Sequence, residues 1–328
     1  MRKTLISSVL AAGALAVALS VTPFGTASAA PNIPCKTAKL IVPWGAGGGT
    51  DVLFRIFAET ANKSGIKPQL QVVNMGGQGG NKGAKEARKA KPDGCTLFAI
   101  HQSAITSYFT GRVDFSVEAF EPVALLSRTP TVFGAHPDTP YNNLGELVAY
   151  AKKNPGKVLT AATLGSTSQF IFLMLEDVAG IKLKYVSYDG TRTRMTALLA
   201  KNVEIGETNL AAGKKYLQSG QIKGLAITTA ERNPEAPDIP TTGEHGIDLL
   251  YGTDRGIVMP KGTPKEIIDH YVALLKVAMA DPAVTEALKK KGTQSFFVPT
   301  DEYGAYFKKT FETWKRIAKE VGAYKRTD

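Results

Sequence analysis

Two glycine-rich turns constrain this chain more than any other feature of its sequence. Residues 43–51 read PWGAGGGTD and residues 74–81 read NMGGQGGN, and each turn follows a short apolar stretch and precedes a helical pattern. Glycine lets the main chain approach a ligand closely, and the first N–H groups of the following helix have no partner within it. Two such turns on neighbouring strands predict one shared pocket for an anion.

The first 30 residues are typical of a secretory signal peptide. A basic start, MRK, precedes an apolar run that is short for a membrane-spanning helix, and the small residues ASAA follow at 27–30. We therefore predict export to the periplasm and cleavage after Ala29 or Ala30, and we favour this over a retained membrane anchor.

Removal of the signal peptide lowers the formal charge from +11 to +9, with 38 basic and 29 acidic residues. A basic surface steers anionic solutes toward a protein. The lysines and arginines are scattered over helix faces without interleaved aromatic residues, so we expect no nucleic-acid partner.

Short β-branched runs alternate with helical apolar stripes, which predicts an α/β protein with a largely parallel sheet. The predicted strands are 39–42, 70–73, 96–100, 158–162, 183–186, 203–206, 222–227 and 255–258. Helical stripes begin near Leu144, Phe170, Ile267 and Tyr303, and residues 231–246 have the composition of a loop. Since about 300 residues exceed one ordinary core, we expect two lobes.

The two cysteines lie beside predicted strands. Cys35 precedes the strand at 39–42 and Cys95 precedes the strand at 96–100. If these strands are neighbours, an exported protein is expected to form a disulfide there. Two free thiols are the alternative.

The glycine turns match no nucleotide-binding or catalytic motif. Thr50 stands where a dinucleotide fold needs its third glycine, the second strand ends in Asn74, and neither turn contains a P-loop. The four histidines are dispersed, so we predict no metal, no cofactor and no catalytic residues. A hydrolase that uses His101 with Ser103 or Ser107 is the alternative, although no orienting acid is evident.

Further polar groups fall at the ends of other predicted strands. Residues 163–169 read TLGSTSQ between a strand and a helix, and hydroxyl groups at a helix start suit a carboxylate. Arg255 is the best candidate for a bidentate ion pair with a second ligand carboxylate. A salt bridge from Arg255 to Asp189 or Asp254 is equally compatible with the sequence.

Four motifs together resemble the Bug or TctC-like receptors of tripartite tricarboxylate transporters. They are LIVPWGAGGGTD at 40–51, the turn at 74–83, KPDGCTL at 91–97 and PKGTP at 260–264. The resemblance covers nearly the whole exported chain. It implies a type II periplasmic-binding-protein fold with two α/β lobes, a hinge and a ligand cleft between the lobes. We place residues 31–129 and 252–328 in one lobe and residues 130–251 in the other.

The resemblance also implies where the ligand binds. Family members hold a carboxylate at the first two glycine turns and at the hydroxyl-rich turn of the opposite lobe, with further residues near later strand ends. In this sequence the predicted ligand-binding residues are Trp44, Gly47, Gly48, Gly49, Thr50, Asp51, Gly79, Gly80, Asn81, His101, Ser103, Gly165, Ser166, Thr167, Ser168, Gln169, Tyr188, Asp189, Asn209 and Arg255.

The chain departs from the family pattern at Asp189, where many members carry arginine, and this leaves the ligand open. A dicarboxylate or tricarboxylate that reaches Arg255, an amino-dicarboxylate whose ammonium meets Asp189, and an aromatic carboxylate stacked on Trp44 all remain. We predict a monomeric, non-enzymatic solute-binding protein that delivers a small organic carboxylate to membrane permease subunits. A ligand sensor for a membrane signalling partner would have the same cleft.

Overall fold

The structure, a computed structural model, describes residues 31–327, so the predicted signal peptide lies outside the described residues. Its strands are β1 (Thr37–Val42), β2 (Gln69–Asn74), β3 (Thr96–Ile100), β4 (Phe120–Pro130), β5 (Val132–Ala135), β6 (Leu159–Ala162), β7 (Lys184–Ser187), β8 (Ile205–Thr208), β9 (Lys223–Ile227), β10 (Gly252–Pro260) and β11 (Gln294–Pro299). Its helices are α1 (Gly49–Lys63), α2 (Asn81–Lys89), α3 (Ser103–Phe109), α4 (Leu144–Lys153), α5 (Thr167–Ala179), α6 (Thr191–Leu199), α7 (Leu210–Gln218), α8 (Lys265–Ala280), α9 (Pro282–Lys289) and α10 (Thr300–Glu320).

The strands form two separate sheets. The first sheet has the order β11-β4-β10-β3-β1-β2, and the second has the order β7-β6-β8-β5-β9. The prediction of a largely parallel sheet was wrong, because β10 runs antiparallel to both β3 and β4, and β5 runs antiparallel to both β8 and β9. The chain passes from one sheet to the other through β4 and β5 and returns through β9 and β10, so these strands enter against the direction of their neighbours.

Each sheet is covered by the amphipathic helices that the sequence predicts. On the first sheet, Phe54 of α1 and Leu274 of α8 share one buried cluster. On the second, Leu147 of α4 and Ile171 of α5 do the same. The predicted docking of the last helix occurs in α10, where Trp314 is only 5% exposed. The apolar faces of these helices thus pack against a sheet, because this removes their nonpolar surface from water.

The two passages between the sheets run side by side and are hydrogen-bonded to each other. Thr131 lies between β4 and β5, and Thr228 follows β9. The N–H of Thr228 donates to the Thr131 carbonyl at 3.0 Å, and the N–H of Thr131 donates to the Thr228 hydroxyl at 2.9 Å. The Thr228 hydroxyl also donates to the Tyr251 carbonyl at 2.8 Å, just before β10. We call Thr131, Thr228 and Tyr251 the crossing segment.

The predicted disulfide is confirmed. Strands β1 and β3 pair in parallel, which brings Cys35 and Cys95 to a Cα–Cα distance of 5.9 Å. The bridge closes a loop across 60 residues that contains α1, β2 and α2. It therefore encloses both glycine-rich turns.

We predict that the double substitution Cys35→Ser, Cys95→Ser lowers the free energy of unfolding. A cross-link across 60 residues stabilises a fold by about 4 kcal/mol when its effect is loss of chain entropy in the unfolded state. Denaturant unfolding with and without dithiothreitol measures this. The reductant should lower the midpoint of the wild type and leave that of the double variant unchanged. An equal midpoint for both proteins without reductant would contradict the prediction.

Candidate functional site

A small cavity of about 30 Å³ lies where helices from the two sheets meet. Its wall contains the first residues of α1 from the first sheet and of α5 and α6 from the second. The lining residues are Trp44, Gly48, Gly49, Thr50, His101, Ser166, Thr167, Ser168, Gly190, Thr191, Arg194, Glu207, Thr253 and Arg255. Three helix N-termini therefore present unpaired N–H groups and the positive ends of their dipoles to one point.

The first glycine-rich turn is held in shape by Asp51. Its carboxylate accepts hydrogen bonds from the N–H of Gly47 and from the Asn74 side chain, both at 2.8 Å, and pairs with Arg55 at 3.0 Å. Burial alone would raise the pKa of Asp51, but these hydrogen bonds outweigh it and lower the pKa. An ionised Asp51 thus fixes the turn, while Gly48, Gly49 and Thr50 face the cavity.

The hydroxyl-rich turn before α5 is also internally bonded. Ser166 caps the helix start in an extended conformation and donates its hydroxyl to the Thr163 carbonyl at 2.9 Å. The Ser168 hydroxyl accepts from the Thr163 N–H at 2.9 Å, and the Gln169 side chain accepts from the Gly165 N–H at 2.7 Å. These bonds fix the turn so that the start of α5 points at the cavity.

Arg255 is a buried cation without a carboxylate partner. It is 3% exposed, and its guanidinium donates to the hydroxyls of Thr50 at 3.0 Å and Thr129 at 2.7 Å. Within residues 31–327, Nη2 of Arg255 has no hydrogen-bond acceptor and the side chain forms no ion pair, with Asp189 and Asp254 included. Burial lowers its pKa to about 10, so it stays charged at neutral pH. A buried charge of this kind favours an anion in the cavity.

The second cation of the cavity is paired. Arg194 of α6 forms a buried ion pair with Glu207 of β8 and also donates to the Thr163 hydroxyl at 2.8 Å. The bond from Arg194 engages Oε2 of Glu207, and Oε1 has no protein hydrogen bond in the described part of the chain. The residues that line the cavity therefore include one acceptor, Oε1 of Glu207, and one cationic donor, Nη2 of Arg255, that have no hydrogen-bond partner among residues 31–327.

His101 presents a neutral imidazole to the cavity. Burial, followed by the charges of Arg255 and Arg194, lowers the pKa of His101 well below its usual value. Its Nδ1 accepts from the Ser103 N–H at 3.2 Å, which assigns the proton to Nε2. The ring stacks on Trp44 at 5.3 Å, and the buried Nε1 of Trp44 has no partner among residues 31–327. Ser103 meets His101 through its main chain, so its hydroxyl is not activated as a nucleophile.

The second glycine-rich turn contacts the opposite sheet instead of lining the cavity. The Gly79 N–H donates to Oδ2 of Asp189 at 3.1 Å, and Arg192 donates to the Ala46 carbonyl at 3.3 Å. A Cβ added to Gly49 would lie 2.8 Å from Oδ1 of Asn209. These contacts hold the two halves of the molecule close together.

The structure brings together nine of the predicted ligand-binding residues in the cavity wall. These are Trp44, Gly48, Gly49, Thr50, His101, Ser166, Thr167, Ser168 and Arg255. The remaining predicted residues do not line the cavity: Gly47, Asp51, Gly79, Gly80, Asn81, Ser103, Gly165, Gln169, Tyr188, Asp189 and Asn209. The sequence analysis missed five lining residues: Gly190, Thr191, Arg194, Glu207 and Thr253. The Gly190-Thr191 pair after β7 was a detectable signal, because it repeats the pattern of a small residue before a helix.

A larger groove of about 700 Å³ lies between the crossing segment and α10. Its wall includes Tyr251, Asp254, Tyr306 and Trp314 and none of the predicted ligand-binding residues. The charge of Asp254 is already matched there by Arg128. We place the functional site in the smaller cavity, where an unmatched cation and three helix N-termini converge.

Residues 31–327 contain neither a candidate metal centre nor a membrane-spanning helix. No cluster of three or more histidine, cysteine or acidic side chains is arranged to hold a metal ion. No helix in this part of the chain is long and apolar enough to cross a membrane.

Comparison with known proteins decides the family. The family described as the tripartite tricarboxylate transporter family receptor, TctC, matches residues 53–323. The chain belongs to this family. The predicted family is confirmed, and so is the two-lobe periplasmic binding protein fold, since the structure of the periplasmic binding protein BugD superimposes with a TM-score of 0.83 at 31% identity. That match covers 88% of this chain and 99% of BugD.

Two further TctC relatives extend the comparison. BugT of Bordetella pertussis is 28% identical over 300 residues, which cover 90% of this chain and 92% of BugT. The structure of MatC from Rhodopseudomonas palustris with bound malate has a TM-score of 0.79 and 26% identity, and the match covers 87% of this chain and 99% of MatC.

We predict that His101 makes this TctC receptor less stable at acid pH. The unfolded chain takes up a proton at His101 near pH 6.5, whereas the folded protein resists it. The free energy of unfolding should therefore be highest above about pH 6.5 and fall below it by up to about 1.4 kcal/mol per pH unit. Urea unfolding of the wild type and His101→Gln between pH 7.5 and 5.5 measures this slope. An undiminished slope in His101→Gln would refute the assignment.

Proposed function

We propose that the chain is an exported receptor that captures a small organic carboxylate between two lobes and delivers it to the permease subunits of a tripartite tricarboxylate transporter. The lobes comprise residues 31–129 with 252–328, and residues 130–251. Arg255 carries this proposal, because a buried guanidinium with a free Nη2 beside three helix N-termini is matched by a carboxylate.

The other donors of the cavity suit the same ligand. His101, which carries its proton on Nε2, is a neutral donor in the cavity wall, and the first N–H groups of α1, α5 and α6 supply further hydrogen bonds. Neutral donors stabilise an anion without adding cations that would repel one another. The malate bound to the relative MatC is a carboxylate, which supports the proposed ligand class.

Capture requires the lobes to separate. Small-molecule sites typically measure about 300–1,000 Å³, whereas this cavity measures about 30 Å³. The contacts of Asp189 with Gly79 and of Arg192 with Ala46 join the two halves beside this cavity. A ligand therefore enters when these contacts break, and the lobes close on it with rotation at the crossing segment.

A thermal-shift screen of mono-, di- and tricarboxylates, followed by calorimetry on the hits, tests the proposed function. We expect at least one small carboxylate to raise the melting temperature and to bind with a stoichiometry of one. Absence of binding across the whole panel, with the protein folded and the disulfide formed, would overturn it.

We predict that Arg255→Met weakens binding of the carboxylate hit about 100-fold, since a charge-assisted hydrogen bond to a buried carboxylate contributes about 3 kcal/mol. The variant should melt at the same temperature as the wild type or higher, because it removes a buried charge without an ion-pair partner. Calorimetry and thermal unfolding measure the two quantities separately. Unchanged affinity in a folded Arg255→Met protein would exclude Arg255 from the site.

We predict that Gly49→Leu blocks closure of the lobes. The new side chain would meet Asn209, since even a Cβ would lie 2.8 Å from its Oδ1. Small-angle X-ray scattering should show ligand-induced compaction in the wild type and none in the variant, and affinity should fall at least about tenfold. Gly45→Leu is the matched control, because a Cβ there meets no atom within 4 Å. Equal compaction of both variants would contradict the prediction.

A further inference from the structure

We propose that the Asp189 carboxylate occupies the position at the edge of the cleft where a second carboxylate of a ligand would bind. Asp189 thereby makes this receptor select monocarboxylates over dicarboxylates. The inference rests on the proposed function and specifies its ligand class. The ligand carries one carboxylate for Arg255 and, near it, a hydroxyl or similar donor for Glu207.

The Asp189 carboxylate lies where a main-chain N–H group can bind an anion. Its donor is the N–H of Gly79 in the second glycine-rich turn, 3.1 Å from Oδ2. Gly79 has a φ of +69°, which aims this N–H across the cleft and disfavours any other residue there. A Cβ on Gly79 would lie 3.3 Å from Nη1 of Arg112, but Arg112 forms no ion pair with Asp189 among residues 31–327. The Gly79 amide is thus the group that faces the position of the Asp189 carboxylate.

Asp189 stands next to the cavity in the chain and in space. The following residue, Gly190, lines the cavity and lies against the Trp44 ring, with a hypothetical Cβ 3.6 Å from Cε3. A ligand that extends from Arg255 beyond Trp44 therefore approaches Asp189. A second ligand carboxylate must either displace Asp189 from the Gly79 amide or remain beside it as a like charge, and both weaken binding.

The charged side chains that line the cavity leave one positive charge without a negative partner, which a ligand with a single negative charge would match. Arg255 and Arg194 contribute two positive charges, and Glu207 contributes one negative charge, which leaves a single positive charge unmatched. Beside the cavity, the Asp189 carboxylate accepts from the Gly79 amide, and Arg192 donates to the Ala46 carbonyl. Oε1 of Glu207 has no protein donor among residues 31–327, so a ligand hydroxyl completes its hydrogen bonding.

Calorimetry with matched ligand pairs tests the selectivity. Lactate and malate, propionate and succinate, and benzoate and terephthalate each differ by one added carboxylate. We expect the wild type to bind the monocarboxylate of the best pair at least about tenfold more tightly than its partner. In Asp189→Ala, the Gly79 amide becomes free, and the ratio of the two dissociation constants should shift at least about tenfold toward the dicarboxylate.

Asp248→Ala is the matched control. Asp248 is an exposed aspartate that, in the part of the chain described, forms no side-chain hydrogen bond or ion pair, so the ratio should keep its wild-type value. Tighter dicarboxylate binding by the wild type, or an equal change for both members of the pair in Asp189→Ala, would overturn the inference and leave the proposed receptor function standing. Failure of every carboxylate to bind would instead overturn the proposed function.

Discussion

The burial of Arg255 without a carboxylate is the constraint on which the site depends. A cation away from water costs several kcal/mol unless neighbouring groups replace its hydration. Thr50 and Thr129 supply part of that replacement through hydroxyl oxygens, which are neutral and so leave the positive charge uncompensated. Placing Thr50 there requires the glycine-rich turn before α1, and placing Thr129 requires β4 beside β10. The surrounding fold therefore holds a buried positive charge beside the cavity, which under the proposed function pairs with the ligand carboxylate.

The other polar groups of the cleft keep that charge available. The carboxylate of Asp51, in the first glycine-rich turn, forms an ion pair with Arg55 and accepts hydrogen bonds from Asn74 and the Gly47 amide. Glu207 is held by Arg194. Neither carboxylate forms an ion pair with Arg255 among residues 31–327, although the nearby charge of Glu207 favours the charged guanidinium. Under the proposed function, selectivity depends on which internal carboxylates are already engaged as much as on the donors that face the ligand.

Local sequence patterns predicted the parts of the site that lie at helix starts. The residues of the first glycine-rich turn and the hydroxyl-rich turn were identifiable because glycine and serine before an apolar stripe favour a helix N-terminus. The disulfide was predicted only on the condition that β1 and β3 are neighbours, and the two strands do pair in parallel. The Cys35–Cys95 bridge confirms that part of the topology.

Features that depend on pairing between distant segments were not predictable in this way. Strand β4 begins and ends near prolines, and β11 has no clear alternation, so their partners in the sheet determine them more than their own residues do. Glu207 and Arg194 resemble surface residues in sequence, and only the packing of α6 against β8 buries them together. The antiparallel strands arise because the chain leaves one sheet and later returns to it, a long-range feature without a local signature.

The crossing segment limits how this molecule changes shape. Thr131 and Thr228 are joined by main-chain and side-chain hydrogen bonds, and Tyr251 is tied to the same threonine. Such bonds resist sliding of the strands past each other, while the torsion angles of a few residues beside them remain free to turn. Under the proposed function, the halves rotate about this segment as a single hinge axis. The angle between them then reports whether the cleft is occupied, and a permease subunit that contacts both halves responds to that angle without touching the ligand.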